Sequence, residues 1–169
     1  YVYQGSPEPD LFGGIRNVFS YKKWTLDTFA HFSIGNTMFN GSVAESYYAR
    51  GAYLNLLPEL KDRWTEENYM SDIPRAGTAF GTYVTTNETS FQDGSFFRLK
   101  NVTLTYDLDN PPFVRDASIY LSAQNLLLIS DYKWGDPEVS QYGNQLNRGV
   151  SDSTYPYSTS VSLGLNIKF

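Results

Sequence analysis

The stretch STSVSLGLNIKF, residues 158–169, decides how this chain folds. It sets Val161, Leu163, Leu165, Ile167 and Phe169 against Ser160, Ser162, Gly164, Asn166 and Lys168. Side chains on a strand point alternately to opposite faces, so this run forms a strand with one apolar and one polar face. A soluble sandwich can bury such an apolar face against a second sheet, whereas a membrane β-barrel turns it to lipid and lines its lumen with the polar one. The other strands carry the choice.

Working back along the chain, residues 117–129 place Ile119, Leu121 and Ala123 opposite Tyr120, Ser122 and Gln124. Residues 95–106 carry Val102, Leu104 and Tyr106 on one face, and parity adds Arg98 and Lys100 to it. That face reads as apolar at one end and basic at the other. The parity predicts that Arg98 and Lys100 are exposed at an outer rim; a β-bulge near Lys100 is the alternative. Residues 24–34 set Trp24, Leu26, Thr28, Ala30, Phe32 and Ile34 against Thr25, Asp27, His31 and Ser33, with Phe29 dissenting. Residues 12–21 set Ile15, Phe19 and Tyr21 against Arg16 and Ser20, with Asn17 out of pattern, and the tail of a further strand fits Tyr1–Gln4.

The connections alternate in length: tight at Lys22–Lys23, long over 35–94, fairly short over 107–116, long over 130–157. Long aperiodic connections are improbable in a compact soluble domain unless they are functional, while membrane barrels alternate short turns with long outer loops. Within 35–94 the stretch PELKDRW predicts a short helix at about 58–64, with Pro58 in its first turn. Counting strands puts Phe169, Tyr106 and the Tyr21–Trp24 turn at one end, where an interfacial aromatic girdle belongs. Five strands cannot close a barrel, since the smallest bacterial ones have about eight. Each unpaired backbone group left in lipid costs several kcal/mol, so further strands are expected, either from preceding polypeptide, the favoured source, or from other copies of this chain.

Composition narrows the function. The 169 residues need only one unit, residues 1–169. No Cys and a single His leave no disulfide frame, no thiolate metal site and little for histidine chemistry, so neither metal nor cofactor is expected. A net charge of −5 argues against nucleic acid as a partner, because phosphate binding needs clustered Lys and Arg. The mean hydropathy of −0.40, with no long apolar run, excludes a membrane-spanning helix and says little of a barrel, whose alternating strands average out. Fourteen Tyr suit either a girdle or a ligand-facing surface. The sequence opens on Tyr with no signal peptide, as expected of a piece of something longer.

Five segments in order, GSPEPDLFGGIRNVFSYKKWTLD (5–27), DRWTEENYMSDIPRA (62–76), DGSFFRLKNVTLTYDL (93–108), IYLSAQNLLLISDYKWGDPEV (119–139) and YPYSTSVSLGLNIKF (155–169), resemble the closing segments of SusC-like (RagA-type) TonB-linked outer-membrane transporters. The resemblance implies an all-β fold: the C-terminal strands of a transmembrane antiparallel β-barrel of about 22 strands with long extracellular loops. It implies import of oligosaccharide or peptide across a Gram-negative outer membrane, a SusD-like surface lipoprotein over the barrel, and TonB acting through a plug that precedes Tyr1. It further implies that Phe169 serves as an assembly signal. The rival functions are a soluble glycan-binding β-sandwich and an outer-membrane barrel enzyme; the lone His and the lack of a nucleophile–His–acid pattern count against the enzyme.

Trp64, Tyr69, Tyr83, Trp134 and Tyr142 lie in the long connections. Their rings are candidates for ligand or lipoprotein contact, because aromatics stack on sugars and on peptide side chains, and also pack on one another. Asp131, Asp136 and Glu138 are close enough in sequence to suggest a carboxylate pair, but Asp136 before Pro137 reads as a turn former, so no catalytic residue is assigned. No twelve-residue Ca²⁺ loop is present. Arg63 and Arg75 are expected to pair with acids of their own loop, and His31 to be a wetted or hydrogen-bonded residue of the polar face with no chemistry assigned.

Overall fold

A computed structural model describes residues 3–48, 58–73, 75, 90–109, 113–133, 135–138, 148–151 and 154–169. Its elements are β1 (Leu11–Tyr21), β2 (Trp24–Ile34), β3 (Thr37–Asn40), α1 (Gly41–Tyr48), a 3₁₀ turn (Pro58–Asp62), β4 (Phe91–Asp93), β5 (Phe96–Asp107), β6 (Asp116–Ser130), β7 (Val150–Ser151) and β8 (Ser160–Lys168). They divide into two units. One comprises Pro9–Gly35, Ser95–Asp131 and Pro156–Phe169, and the other gathers residues from 1–8, 36–94 and 132–155.

The first unit is an antiparallel sheet in the order β1-β2-β5-β6-β8. These are the five strands that alternation marks out, and register aligns their apolar residues into rows. Tyr21, Trp24, Tyr106, Ile119 and Leu165 form one row; Phe19, Leu26, Leu104, Leu121 and Leu163 form the next; Asn17, Thr28, Val102, Ala123 and Val161 the third. The opposite face is built largely of hydroxyls, amides and charges, as in the row of Asp27, Thr103, Ser122 and Ser162. On that face Arg16 grips Asp27 in a two-pronged ion pair, Nε to Oδ1 at 3.0 Å and Nη2 to Oδ2 at 2.6 Å.

Among the described residues, none covers the apolar face. Leu163 is 76% exposed, Val161 65% and Phe19 64%. A contiguous apolar surface across five strands is far beyond the patch a soluble monomer leaves in water. The sandwich reading requires a covering sheet, and the described residues supply none. Trp24 packs on Tyr106 with ring centroids 4.7 Å apart, at the end where the tight turn lies. In that turn Lys22 takes φ of 55°, and the Lys23 ammonium is held by the Asp109 carboxylate.

Parity misplaces Arg98 and Lys100. Pairing with β2 steps from Phe29↔Asn101 to Ala30↔Leu99, and pairing with β6 from Asn101↔Gln124 to Leu99↔Leu127. Against β2, Lys100 is thus an extra residue, while against β6 it faces two, Asn125 and Leu126; the irregularity at Lys100 exchanges the faces of β5 beyond it. Phe97 and Leu99 continue the apolar face, while Arg98 lies opposite His31 on the polar one and is only 2% exposed. The expectation of a rim-exposed Arg98 is therefore wrong, because an alternation counted through a bulge inverts. Lys100 is half-buried rather than exposed.

The second unit is built on β3, which pairs antiparallel with β4 and parallel with β7. Three further bonds draw remote segments onto it: Thr37 N–H to the Ser6 carbonyl, Phe39 N–H to that of Gly149, and Asn40 Nδ2 to that of Lys133. Asn40 also caps α1, its Oδ1 accepting from the Val43 N–H at 3.1 Å. Met38, Val43, Ala44, Leu60 and Tyr132 are its buried apolar residues. Nothing in the residue pattern marks α1 or these short strands. The helix expected at 58–64 is a 3₁₀ turn of Pro58–Asp62, and Tyr3 and Gln4 lie in no strand.

Candidate functional site

The polar face changes character toward the end that carries the long connections. Its lower rows are mainly hydroxyls and amides beside the Arg16–Asp27 pair, with Thr103 and Ser122 sharing a hydrogen bond of 3.0 Å. Higher up, His31 stacks on Phe29 with centroids 6.3 Å apart and meets Phe96 edge-on at 5.2 Å. Beside it, Arg98 and Lys100 both approach the Tyr157 ring, at 5.4 and 4.6 Å from its centroid. The cations lean on the ring's negative face, which lowers the cost of holding a guanidinium away from water. Just beyond the last β6–β8 pair, Asn125 takes φ of 51°; its Nδ2 donates to the Ser158 carbonyl, and its own carbonyl accepts from Thr159 Oγ1 at 2.8 Å. His31 is half-buried, with Phe29 and Phe96 against its ring.

In the second unit, residues 62–73 form a small self-bonded loop. Asn68 Nδ2 and Ser71 Oγ both donate to the Asp62 carbonyl, Thr65 Oγ1 accepts from the Asn68 N–H, and the Trp64 N–H donates to the Ile73 carbonyl. The loop holds its backbone in place and presents side chains outward. Tyr69 is exposed and Trp64 half-buried. Burial pushes the Tyr132 phenol above its usual range, with Ser151 opposing this and the Asp136 charge adding to it.

Of the residues singled out by sequence, Trp64 and Tyr69 thus share one ordered loop. Tyr83, Trp134 and Tyr142 lie outside the described residues. Phe169 follows the last strand and is 91% exposed. Asp136 is a turn residue, its Oδ1 accepting from the Glu138 N–H at 3.0 Å across Pro137. Arg63 does not pair with an acid among the described residues; its Nε donates to the Leu60 carbonyl at 2.7 Å, which closes the 3₁₀ turn instead. Among the described residues no three His, Cys, Asp or Glu side chains converge. Sequence reasoning missed Tyr157 and Asn125. Tyr157, next to Pro156 at the mouth of a strand, looks like any loop aromatic, and Asn125, although asparagine tolerates the left-handed region, stands in a run otherwise patterned as strand.

No family model matches the chain. Among curated proteins it is 38% identical to TonB-dependent receptor P26 of Formosa agariphila over 99% of its length, and 26% identical to the TonB-dependent receptor SusC of Bacteroides thetaiotaomicron over all of it. Among solved structures it is similar to the RagAB peptide importer in its closed-closed state, with a TM-score of 0.78 and 29% identity over 98% of the chain. It matches the open-open state with a TM-score of 0.74. The chain spans only 16–18% of the length of the two curated relatives and 18% of the matched importer chain. These relatives are receptors and an importer rather than enzymes.

Proposed function

Since the chain belongs to the SusC-like TonB-dependent receptors, of which it forms a C-terminal part, we propose that it is a wall segment of an outer-membrane nutrient importer. Its apolar face abuts lipid and its polar face lines the lumen of a barrel completed by strands outside residues 1–169. A plug and TonB-contact segment, also outside these residues, would couple the pore to energy. The cargo is an oligosaccharide or a peptide, and a SusD-like lipoprotein covers the end from which the long connections leave. Trp64 and Tyr69, with Tyr83, Trp134 and Tyr142, are the residues proposed for ligand or lipoprotein contact, and Phe169 for recognition during assembly.

The observation that carries this reading is the uncovered apolar face, aligned row by row across five strands, behind a polar one. Neighbouring residues should therefore report opposite surroundings. In the full-length parent in cells, Thr103→Cys should react with a small impermeant thiol reagent. Leu104→Cys should stay unreactive and be quenched by a lipid-borne spin label. Equal reactivity of the two would reject the orientation, and wild-type cargo uptake after deletion of the parent gene would reject the transport role.

A further inference from the structure

The alternation that defines β8 leaves its register open. Slipping SVSLGLNIK by one residue against β6 exchanges the faces and is forbidden by burial, but slipping it by two returns apolar residues to the apolar face and polar ones to the polar face. Leu121, opposite Leu163 in the structure, would meet Val161 or Leu165 equally well as far as hydrophobicity is concerned. Something other than pattern must choose.

Two features do so, and both sit on the polar face or its margin. Tyr120 lies directly opposite Gly164, and a Cβ built on Gly164 would overlap the hydroxyl end of the Tyr120 ring, at Cζ, Cε1 and the phenol oxygen. The ring thus occupies the space that a side chain would need. Gly164 is the only glycine of β8; a slip of two residues brings Ser162 or Asn166 under the same ring. The second feature is the left-handed Asn125, tied to Ser158 and Thr159 where β6–β8 pairing ends at Gln124↔Ser160.

We infer that Tyr120 and Gly164 form a ring-over-glycine key that sets the register of the last strand and outweighs the Asn125 bonds at the end of the pairing. The role concerns assembly and is separate from what the pore carries. Moving the glycine should move the register. With Gly164→Ser and Ser162→Gly combined, the ring finds its only open site two residues earlier, so Leu121 should face Val161.

The test is disulfide cross-linking in the full-length parent, refolded in detergent or recovered from membranes. With the native glycine, Leu121→Cys/Leu163→Cys should cross-link and Leu121→Cys/Val161→Cys should not. With the relocated glycine the ratio should reverse by roughly tenfold or more, as expected from the cost of overpacking a ring. If that protein does not fold, adding Tyr120→Ser should restore both folding and the native pair, because the ring that rejects a side chain at position 164 is gone. Native-pair cross-linking at its original efficiency with the glycine moved and Tyr120 retained would overturn the inference. So would a failure to fold that Tyr120→Ser does not relieve. Uptake is not the readout, so a failed key and a failed transport role are told apart.

Discussion

An arginine placed on β8 should distinguish its two faces within a single residue step. Val161 belongs to the row of Asn17, Thr28, Val102 and Ala123, four residues along the strand from Leu165 in the aromatic row of Tyr21, Trp24 and Tyr106. Four residues at about 3.4 Å rise make about 14 Å along the strand, and a tilt of about 40° reduces this to about 10 Å of depth. If the aromatic row marks one interface of an apolar band about 25 Å tall, Val161 lies close to its middle. Arginine there should cost about 2–4 kcal/mol, a factor of roughly 30 to 900 in the folded-to-unfolded ratio. Ser162→Arg points into water and should be nearly neutral. Ile167→Arg, beyond the aromatic row, should cost about 0–1 kcal/mol.

The assay is denaturant unfolding of the full-length parent refolded into phospholipid vesicles, read by heat-modifiable gel mobility. The comparison among the three variants is what matters, because a parent several times the length of this chain need not unfold in a single step. A neutral Val161→Arg, or a Ser162→Arg as damaging as its neighbour, would refute the assignment of faces and return the sheet to the soluble-sandwich reading. An Ile167→Arg as costly as Val161→Arg would leave the faces intact but refute the depth.

Asn40→Ala removes both the α1 cap and the bond to the Lys133 carbonyl, so it should cost about 1–2 kcal/mol locally and raise hydrogen exchange and protease cleavage in the second unit, with the sheet unaffected. The Asp109 carboxylate holds the Lys23 ammonium above its usual pKa. A raised folded value makes this contribution complete below the unfolded lysine range near about 10.4 and lost as pH climbs through the folded value. The unfolding midpoint of the parent should therefore fall faster on alkaline titration than that of Lys23→Met, and salt should shrink the difference.

What could be read from sequence is what local chemistry determines. Leu26, Leu104, Leu121 and Leu163 announce their strands because a half-buried strand must repeat every two residues wherever it sits. The tight turn at Lys22–Lys23 and the shared end of Tyr21, Trp24 and Tyr106 follow by counting. The second unit is different: Phe39 against Val150, Asn40 against Lys133 and Thr37 against Ser6 are pairings between remote segments, and no periodicity in 36–94 encodes them. The candidate contacts fare likewise, since the aromatics of the long connections can be named from sequence but only Trp64 and Tyr69 acquire a described setting.

Lys100 shows the limit within the sheet itself. In FFRLKNVTLTY an arginine and a lysine fall in phase with Val102 and Leu104, and no residue type there signals an interruption, since a bulge tolerates an ordinary lysine. The contradiction lay in the chemistry: an uninterrupted strand would carry two cations up a face otherwise apolar, at a cost that would be large on the proposed membrane reading unless the interface is near. A bulge removes that cost by turning Arg98 inward onto Tyr157 and returning Phe97 and Leu99 to the apolar side. Wherever a charge falls in phase with the apolar face of a strand like β5, a bulge between it and the last apolar residue is the reading that physics favours.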